Sequence, residues 1–273
     1  MAGKIAVAMS VYCKDEPSFL VQSIESLLDQ TYKDFDIYIE VDGAVSDEHI
    51  NILKKYSNFA NIYVNYNNEN KGLALRLNQI IHKVSNVGGY EYLARMDADD
   101  ICTPERFAIQ VEFLKHNRAI SIVGSDVVEI DANGNKIFYK SMLSTHDEIF
   151  EHVIKRCPVN HPTVMFRASV FEDESITYNP RLLNTQDYYL WIDMLAKGHI
   201  FANISLPLVS FRVNDNFYSR RGVKKAINDT VSRFYAMKTL GIYNISNIQH
   251  VCLLFCLRLS PSFMKKYIYN KFR

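Results

Sequence analysis

The sequence predicts an α/β fold: a largely parallel, doubly wound sheet with helices on both faces, continued by a mixed α+β half and closed by a helical C-terminal extension. Three observations point there. Short apolar runs alternate with stretches of helical period through the first hundred residues, the pattern of parallel strands and their crossover helices. Turn residues (Pro17, Asp42-Gly43, Asn133-Gly134) punctuate the joints. The chemically unusual polar residues fall just after the apolar runs, where open α/β sheets bind ligands.

Residues 4–11 are a short apolar run expected to be a buried strand, and Pro17 then opens a helix with Leu20, Ile24, Leu27 and Leu28 on one face. Residues 35–41 make a second strand ending at Asp42-Gly43, and Ser46 is a good N-cap for a helix through Leu53. Residues 61–66 read as the third strand. Residues 73–84 follow as a helix with Leu77, Ile80 and Ile81 inward, and 90–96 as a fourth strand running into Asp97-Ala98-Asp99-Asp100. A helix follows Pro104 to about His116. Strands at 120–130 and 136–140 then flank Asp131-Ala132-Asn133-Gly134-Asn135, where Asn-Gly signals a hairpin. A helix at 145–154, a strand at 163–166, a helix at 186–196 and a strand at 206–213 complete the body.

Of 273 residues, 48% are apolar and 22% charged, the composition of an ordinary globular chain that excludes collagen, low-complexity disorder and a small disulfide scaffold. The five Cys lack a CxxC spacing and read as reduced thiols, mostly core filler, with no structural zinc. The formal charge of +1 hides an asymmetry: no Asp or Glu follows Asp229, and the last 44 residues carry seven Lys or Arg, leaving the first 229 with 24 bases against 30 acids. A mildly acidic body lacks the basic stripe that nucleic acid requires. The N-terminal apolar run is too short for a signal peptide, and no run approaches the ~20 residues of a membrane span, so a cytoplasmic protein is expected. The apolar and basic stretches 248–258 and 262–273 fit either an anionic membrane face or helices packed on the domain.

Neither GxGxxG nor GxxxxGK[ST] occurs at the first strand-to-helix joint, which disfavours NAD enzymes and P-loop NTPases. Asp97-Ala98-Asp99-Asp100 is the strongest chemical signal. Carboxylates two apart at a strand end reach one hard cation, and Mg²⁺ or Mn²⁺ held by one or two carboxylates keeps positions open for a diphosphate; a solvated loop capping the next helix is the alternative. In Thr185-Gln186-Asp187-Tyr188-Tyr189-Leu190-Trp191, Asp187 is either a partner of the helix dipole, with Trp191 in the core, or a general base held by the packing of Tyr188 and Trp191. His161-Pro162 precedes a strand and is either a structural histidine or part of the cleft wall. Arg212, Arg220 and Arg221 place three guanidiniums within ten residues, suited to phosphate oxygens or to a solvated turn.

The ordered strings Ser10-Val11-Tyr12 with Glu16, Val41-Asp42-Gly43 with Ser46-Asp47, Asn70-Lys71-Gly72-Leu73 with Asn78, Asp97-Ala98-Asp99-Asp100, His161-Pro162, and Gln186-Asp187-Tyr188 with Leu190-Trp191 resemble a family 2 glycosyltransferase of the bacterial surface-polysaccharide type. The resemblance implies a glycosyltransferase A-type fold, a Rossmann-like mixed sheet flanked by helices. It divides the chain into a domain at 1–222, with a nucleotide-binding half at 1–103 and an acceptor half at 104–222, and a basic amphipathic extension at 223–273. It further implies an inverting transfer of a hexose or N-acetylhexosamine from a UDP-sugar to a saccharide acceptor. That acceptor would be undecaprenyl-diphosphate-linked, in O-antigen, capsule or exopolysaccharide synthesis, with the enzyme peripheral on the inner membrane. By position, Ser10, Tyr12, Glu16, Asp42, Lys71 and Asp97 would hold the nucleotide with Arg220 and Arg221, and Asp99 would hold Mn²⁺ or Mg²⁺. Asp187 would be the base, and Asp100, His161, Gln186 and Trp191 would line the sugar cleft. The chain departs from the family where Ala44 follows Asp42-Gly43, and where Asn214 stands in place of a His after Arg212. A sugar-phosphate nucleotidyltransferase is the alternative enzyme, although residues 10–17 lack its Gly-rich basic loop; a catalytically silent carbohydrate-binding protein on the same fold is the other.

Overall fold

The computed structural model describes residues 3–182, 184–213 and 223–260. The first half runs β1 (Lys4–Val11), α1 (Pro17–Leu28), β2 (Phe35–Asp42), α2 (Asp47–Tyr56), β3 (Ile62–Asn67), α3 (Leu73–Val87) and β4 (Tyr90–Arg95). After β5 (Ile101–Cys102) come α4 (Arg106–His116), β6 (Ile120–Ile130), β7 (Lys136–Lys140), α5 (His146–His152), β8 (Met165–Arg167), α6 (Gln186–Ala196) and β9 (Ile200–Arg212). Two helices, α7 (Val223–Leu240) and α8 (Ile245–Leu259), close the described chain.

One sheet spans both halves, in the order β3-β2-β1-β4-β8-β6-β9-β5, with β7 paired to β6. The pairs β1 with β2, β1 with β4 and β2 with β3 are parallel, whereas β8 enters antiparallel between β4 and β6. The strand order reverses direction at β1, so the crevice beyond the carboxyl ends of β1 and β4 is the topological switch point. The expected mixed sheet flanked by helices is therefore observed. The continuous apolar run of β1 follows from this placement. Ile5, Val7, Met9 and Val11 pack on one face with Leu20, Ile24 and Leu27 of α1, while Ala6 and Ala8 pack on the other with Leu77 and Ile80 of α3. Each fully buried Leu or Ile contributes about 1.5–3 kcal/mol relative to exposure.

Local chemistry sets the joints. The Ser46 hydroxyl accepts from His49 N at the start of α2, and Thr145 with Glu148 forms a complete capping box on α5. The β6–β7 turn closes on Asp131, whose carboxylate accepts from Asn133 N and Asn135 N at 2.8 Å, with Gly134 at φ 85°.

The structure departs from the sequence expectations in four places. The last strand begins at Ile200 rather than 206, because Pro207 sits at a register shift where β9 slips against Asp126 of β6. Helix α7 was not read as a separate helix, since only Ala226, Ala236 and Met237 are fully buried apolar residues along its 18-residue length. Ile81 and Leu28 are only half-buried. Cys13, Cys252 and Cys256 are exposed, so most thiols are not core filler. The stretch 262–273 lies outside the described residues.

The C-terminal helices pack on the body. Tyr235 of α7 stacks on Tyr189 of α6 at 4.4 Å, the Arg233 guanidinium lies 3.9 Å over the Tyr188 ring, and Arg258 of α8 pairs with Asp229 at 2.9 Å. Among the described residues no helix is long and apolar enough to cross a membrane.

Candidate active site

Four carboxyl ends converge at the switch point, and a buried ion pair holds two of the loops together. Asp42, at the end of β2, is 3% exposed, and both its oxygens are committed: Oδ1 accepts from Lys71 N (2.8 Å) and Arg76 Nε (2.7 Å), Oδ2 from Gly72 N (2.9 Å). Gly43 follows with φ 82°, and a Cβ there would meet Asn70 N at 2.8 Å, so only glycine lets the 70–72 loop approach. Asp42 therefore positions the loop that carries Lys71, whose ammonium reaches out to Glu69 at 2.8 Å with both groups exposed.

The loop after β1 folds back on Asp15, whose carboxylate accepts from Tyr12 N at 2.9 Å. His49 of α2 pins this loop from outside, bonding the Asp15 carbonyl through Nε2 (2.8 Å) and the Ser46 hydroxyl through Nδ1 (2.7 Å). Burial, then the neighbouring Asp99 and Asp97 charges, push the Asp15 carboxyl up to about 7. Tyr12 and Ser10 are half-buried and Glu16 is exposed at the start of α1.

After β4 the acidic string divides its labour. Asp97 is part-exposed, and its Oδ1 pairs with Arg95 while its carbonyl accepts from Ser23 Oγ at 2.8 Å. Asp99 is part-exposed, and burial together with the Asp97 charge raises its carboxyl to about 6. Asp100 is 0% exposed: Oδ1 accepts from Arg212 N at 2.8 Å, Oδ2 has no partner among the described residues, and burial drives its carboxyl well up, so it braces β9 rather than lining the cleft. Arg212 is likewise a brace. It gives Nε to the Asp99 carbonyl (2.9 Å), Nη1 to the carbonyls of Asp131 and Ala132, and Nη2 to Gln22 Oε1 (2.8 Å), and it stacks 3.9 Å over Phe19. Arg220 and Arg221 lie outside the described residues.

In the acceptor half, His161 lies in a 3₁₀ turn and Gln186 and Asp187 open α6. His161 sits with Nε2 2.8 Å from the Tyr178 hydroxyl, and burial with the nearby Arg95 charge holds its imidazole well below the usual range. Asp187 accepts from Tyr188 N at 2.8 Å, and burial raises its carboxyl above the ordinary range. Gln186 is half-buried, with Oε1 lacking a partner among the described residues. Trp191 is 0% exposed and packs at 5.9 Å on His161 and 5.8 Å on Phe166. It supports the histidine from below rather than presenting a sugar-stacking face. Burial holds the Tyr178 hydroxyl well above the usual range, with smaller effects from the charges of Arg95, Asp187 and Asp97.

Sequence reasoning missed three residues of this site. Asp15 lay inside the flagged 12–16 segment but was not singled out. Arg95 is 1% exposed with only Nη2 engaged among its side-chain nitrogens, Nε and Nη1 being without partners among the described residues. Tyr178 comes from a loop without periodicity, and its one trace in the sequence was Asn78, which holds it. Among the described residues no three His, Cys, Asp or Glu side chains form a ready-made metal cage. The donor set nonetheless fits a hard divalent ion: two part-exposed carboxylates, with remaining positions for diphosphate and water, is how Mg²⁺ is usually held.

The family model described as Glycosyl transferase family 2 matches residues 7–174. An uncharacterized glycosyltransferase of Haemophilus influenzae is 33% identical, with 98% of each chain covered. The amylovoran biosynthesis glycosyltransferase AmsE of Erwinia amylovora is 28% identical, again over 98% of each chain. The UDP-Gal:alpha-D-GlcNAc-diphosphoundecaprenol beta-1,3-galactosyltransferase of Escherichia coli is 29% identical over 98% of this chain and 96% of its own. In fold, S. aureus TarS 1-349 in complex with UDP superposes with a TM-score of 0.63 at 17% identity, over 87% of this chain and 69% of the other.

Proposed function

The chain belongs to glycosyl transferase family 2 and is related to bacterial polysaccharide-synthesis enzymes, and we propose that it transfers a hexose or N-acetylhexosamine from a UDP-sugar to a saccharide linked to a lipid diphosphate, with inversion at the anomeric carbon. The observation that supports this reading is the placement of Asp97 and Asp99 just beyond the carboxyl end of β4, at the switch point of a sheet that matches the family.

The residues divide into two sets. On the donor side, Ser10, Tyr12, Glu16 and the Lys71 loop flank the switch point and bind the nucleotide, with Asp42 and Arg76 fixing that loop. Asp97 and Asp99 hold Mn²⁺ or Mg²⁺, which would supply electrostatic stabilisation for charge developing on the leaving diphosphate. On the acceptor side, Asp187 takes the proton from the attacking hydroxyl. The acceptor oxygen then bonds to the anomeric carbon, and the bond to UDP breaks, with its electron pair leaving on the diphosphate. Burial raises the Asp187 carboxyl, and general-base catalysis by a positioned carboxylate typically contributes about 10²–10⁴-fold. The Asp187→Asn variant should bind UDP as tightly as the parent while losing transfer by at least about a hundredfold; turnover near the parent rate removes Asp187 from this role.

The location follows from α7 and α8. Ile245 (76% exposed) and Leu253 (68%) project outward from helices that already bury Val251 against the body, and Arg258 lies in the last turn of α8. An apolar face with basic neighbours, in a tail free of acids after Asp229, supports peripheral association with an anionic membrane on the cytoplasmic side.

A further inference from the structure

Asn78 of α3 and Tyr178 are a hundred residues apart, yet the amide of one clasps the backbone of the other. Asn78 Nδ2 donates to the Tyr178 carbonyl (2.7 Å), and Tyr178 N donates to Asn78 Oδ1 (2.9 Å). This two-bond clamp fixes an irregular loop whose tyrosine is 2% exposed. Its hydroxyl ends 2.8 Å from His161 Nε2, and the imidazole is held edge-on by the Tyr178 ring at 5.5 Å and by Trp191 at 5.9 Å.

We propose that Tyr178 fixes His161 in the tautomer that carries its proton on Nδ1, and that this N–H donates a hydrogen bond to a hydroxyl of the sugar being transferred. The direction of the Tyr178–His161 bond follows from an accounting of donors. The buried phenol keeps its proton, since burial moves its titration upward, and among the described residues no acceptor other than His161 Nε2 is available to it. Leaving that O–H unpaired would forfeit a bond whose absence typically reduces an equilibrium about tenfold or more. Nε2 is therefore the acceptor, so it carries no proton. The ring is neutral in its desolvated setting beside Arg95, so its single proton sits on Nδ1. Nδ1 has no protein partner among the described residues, and His161 is part-exposed. The turn that carries His161 is tied to the end of β4, where Arg95 N donates to the Val164 carbonyl (2.9 Å) two residues before Asp97, and the sugar bound over that end lies beside the ring. This last step rests on the glycosyl-transfer reading above; the tautomer does not.

The two parts are tested separately. Long-range ¹H–¹⁵N spectra of the full chain with ¹⁵N-labelled histidine, with the His161 signals identified by their loss in H161N, should show a protonated Nδ1 and a bare Nε2. A protonated Nε2 overturns the proposal. In Y178F the His161 signals should move toward the other tautomer; unchanged signals in a variant that retains the parent circular dichroism also overturn it. The second part uses whichever of UDP-glucose, UDP-galactose and UDP-GlcNAc the parent turns over fastest. H161N keeps an amide donor near the Nδ1 position whereas H161Q places its amide near Nε2, so H161Q should lose about tenfold more kcat/KM than H161N. Equal losses in the two variants refute the sugar contact. A parent inactive with all three donors refutes the glycosyl-transfer reading and the contact with it, while the spectrum still decides the tautomer.

Discussion

Replacing Asp42 with Asn keeps the side chain's shape but turns one carboxylate oxygen into an NH₂ group, and the surroundings of that side chain allow the cost to be worked through. If the amide oxygen takes the Oδ1 place, it keeps the bonds from Lys71 N (2.8 Å) and Arg76 Nε (2.7 Å), now without the carboxylate charge. The NH₂ then faces Gly72 N–H, which loses its acceptor at 2.9 Å. Arg76 remains 3% exposed with only neutral acceptors, the Glu69 carbonyl and Gln79 Oε1. An orphaned buried donor costs about 1–3 kcal/mol, and stripping one partner from a buried ion pair costs about 3–5 kcal/mol in all, so D42N should destabilise by about 3–5 kcal/mol. Urea unfolding followed by circular dichroism reads this as a lower midpoint at unchanged slope. Arg76→Met should also destabilise, and the double variant should fall short of the sum by at least about 1 kcal/mol, because the two groups share one interaction. A D42N variant within about 1 kcal/mol of the parent, or strict additivity in the cycle, would refute the view that this pair holds the 70–72 loop.

Asp15 supplies a test with a defined sign. A carboxyl raised to about 7 in the folded state binds its proton more tightly there than in the unfolded chain, so stability is lost as pH rises from about 4 to about 7. Asp15→Asn should therefore be more stable than the parent at pH 8 in metal-free buffer, by up to ~4 kcal/mol, and indistinguishable from it near pH 4; parallel stability curves would contradict this. Chelation should abolish transfer and Mn²⁺ should restore it, with Asp99→Asn raising the half-maximal Mn²⁺ concentration at least about tenfold; full activity in excess EDTA removes the metal from the mechanism. Leu253→Glu should lower partition onto vesicles containing anionic lipid without changing thermal unfolding, since Leu253 is exposed on α8; equal flotation would detach that helix from the membrane.

The first half was legible because each strand of the parallel sheet is a local apolar run bounded by its own turn chemistry, so β1, β2 and α3 could be placed to within a few residues. Helix α6 was found at both ends, since its aromatic and apolar run from Tyr188 to Leu195 is buried on almost every side. The rest was obscured by long-range contacts. Whether Arg212 meets phosphate or braces Asp99 and Asp131 depends on contacts with residues some eighty to more than one hundred positions earlier, which no local pattern encodes. Trp191 fits a stacking platform and a core residue equally well until Phe166 and Phe201 are seen around it. Tyr178 had no periodicity to announce it, and Asn78, visible as part of a recurring string, acquires a purpose only once its partner across the fold is known. Helix α7 escaped because a helix with two charged faces and few buried apolar positions has no stripe to read.

The insertion of β8 between β4 and β6 has a consequence for biosynthesis. During translation β1 through β4 emerge complete, yet the outer edge of β4 has no neighbour until Met165–Arg167 has cleared the ribosome. Throughout that interval the nascent sheet exposes a bare, apolar margin at Tyr92, Leu93 and Ala94, the kind of template on which another chain can pair. A truncated product ending near residue 103 would keep that margin permanently, which makes chaperone engagement of the half-made polypeptide, and insolubility of the isolated N-terminal half, the expected cost of splitting the fold across two distant segments.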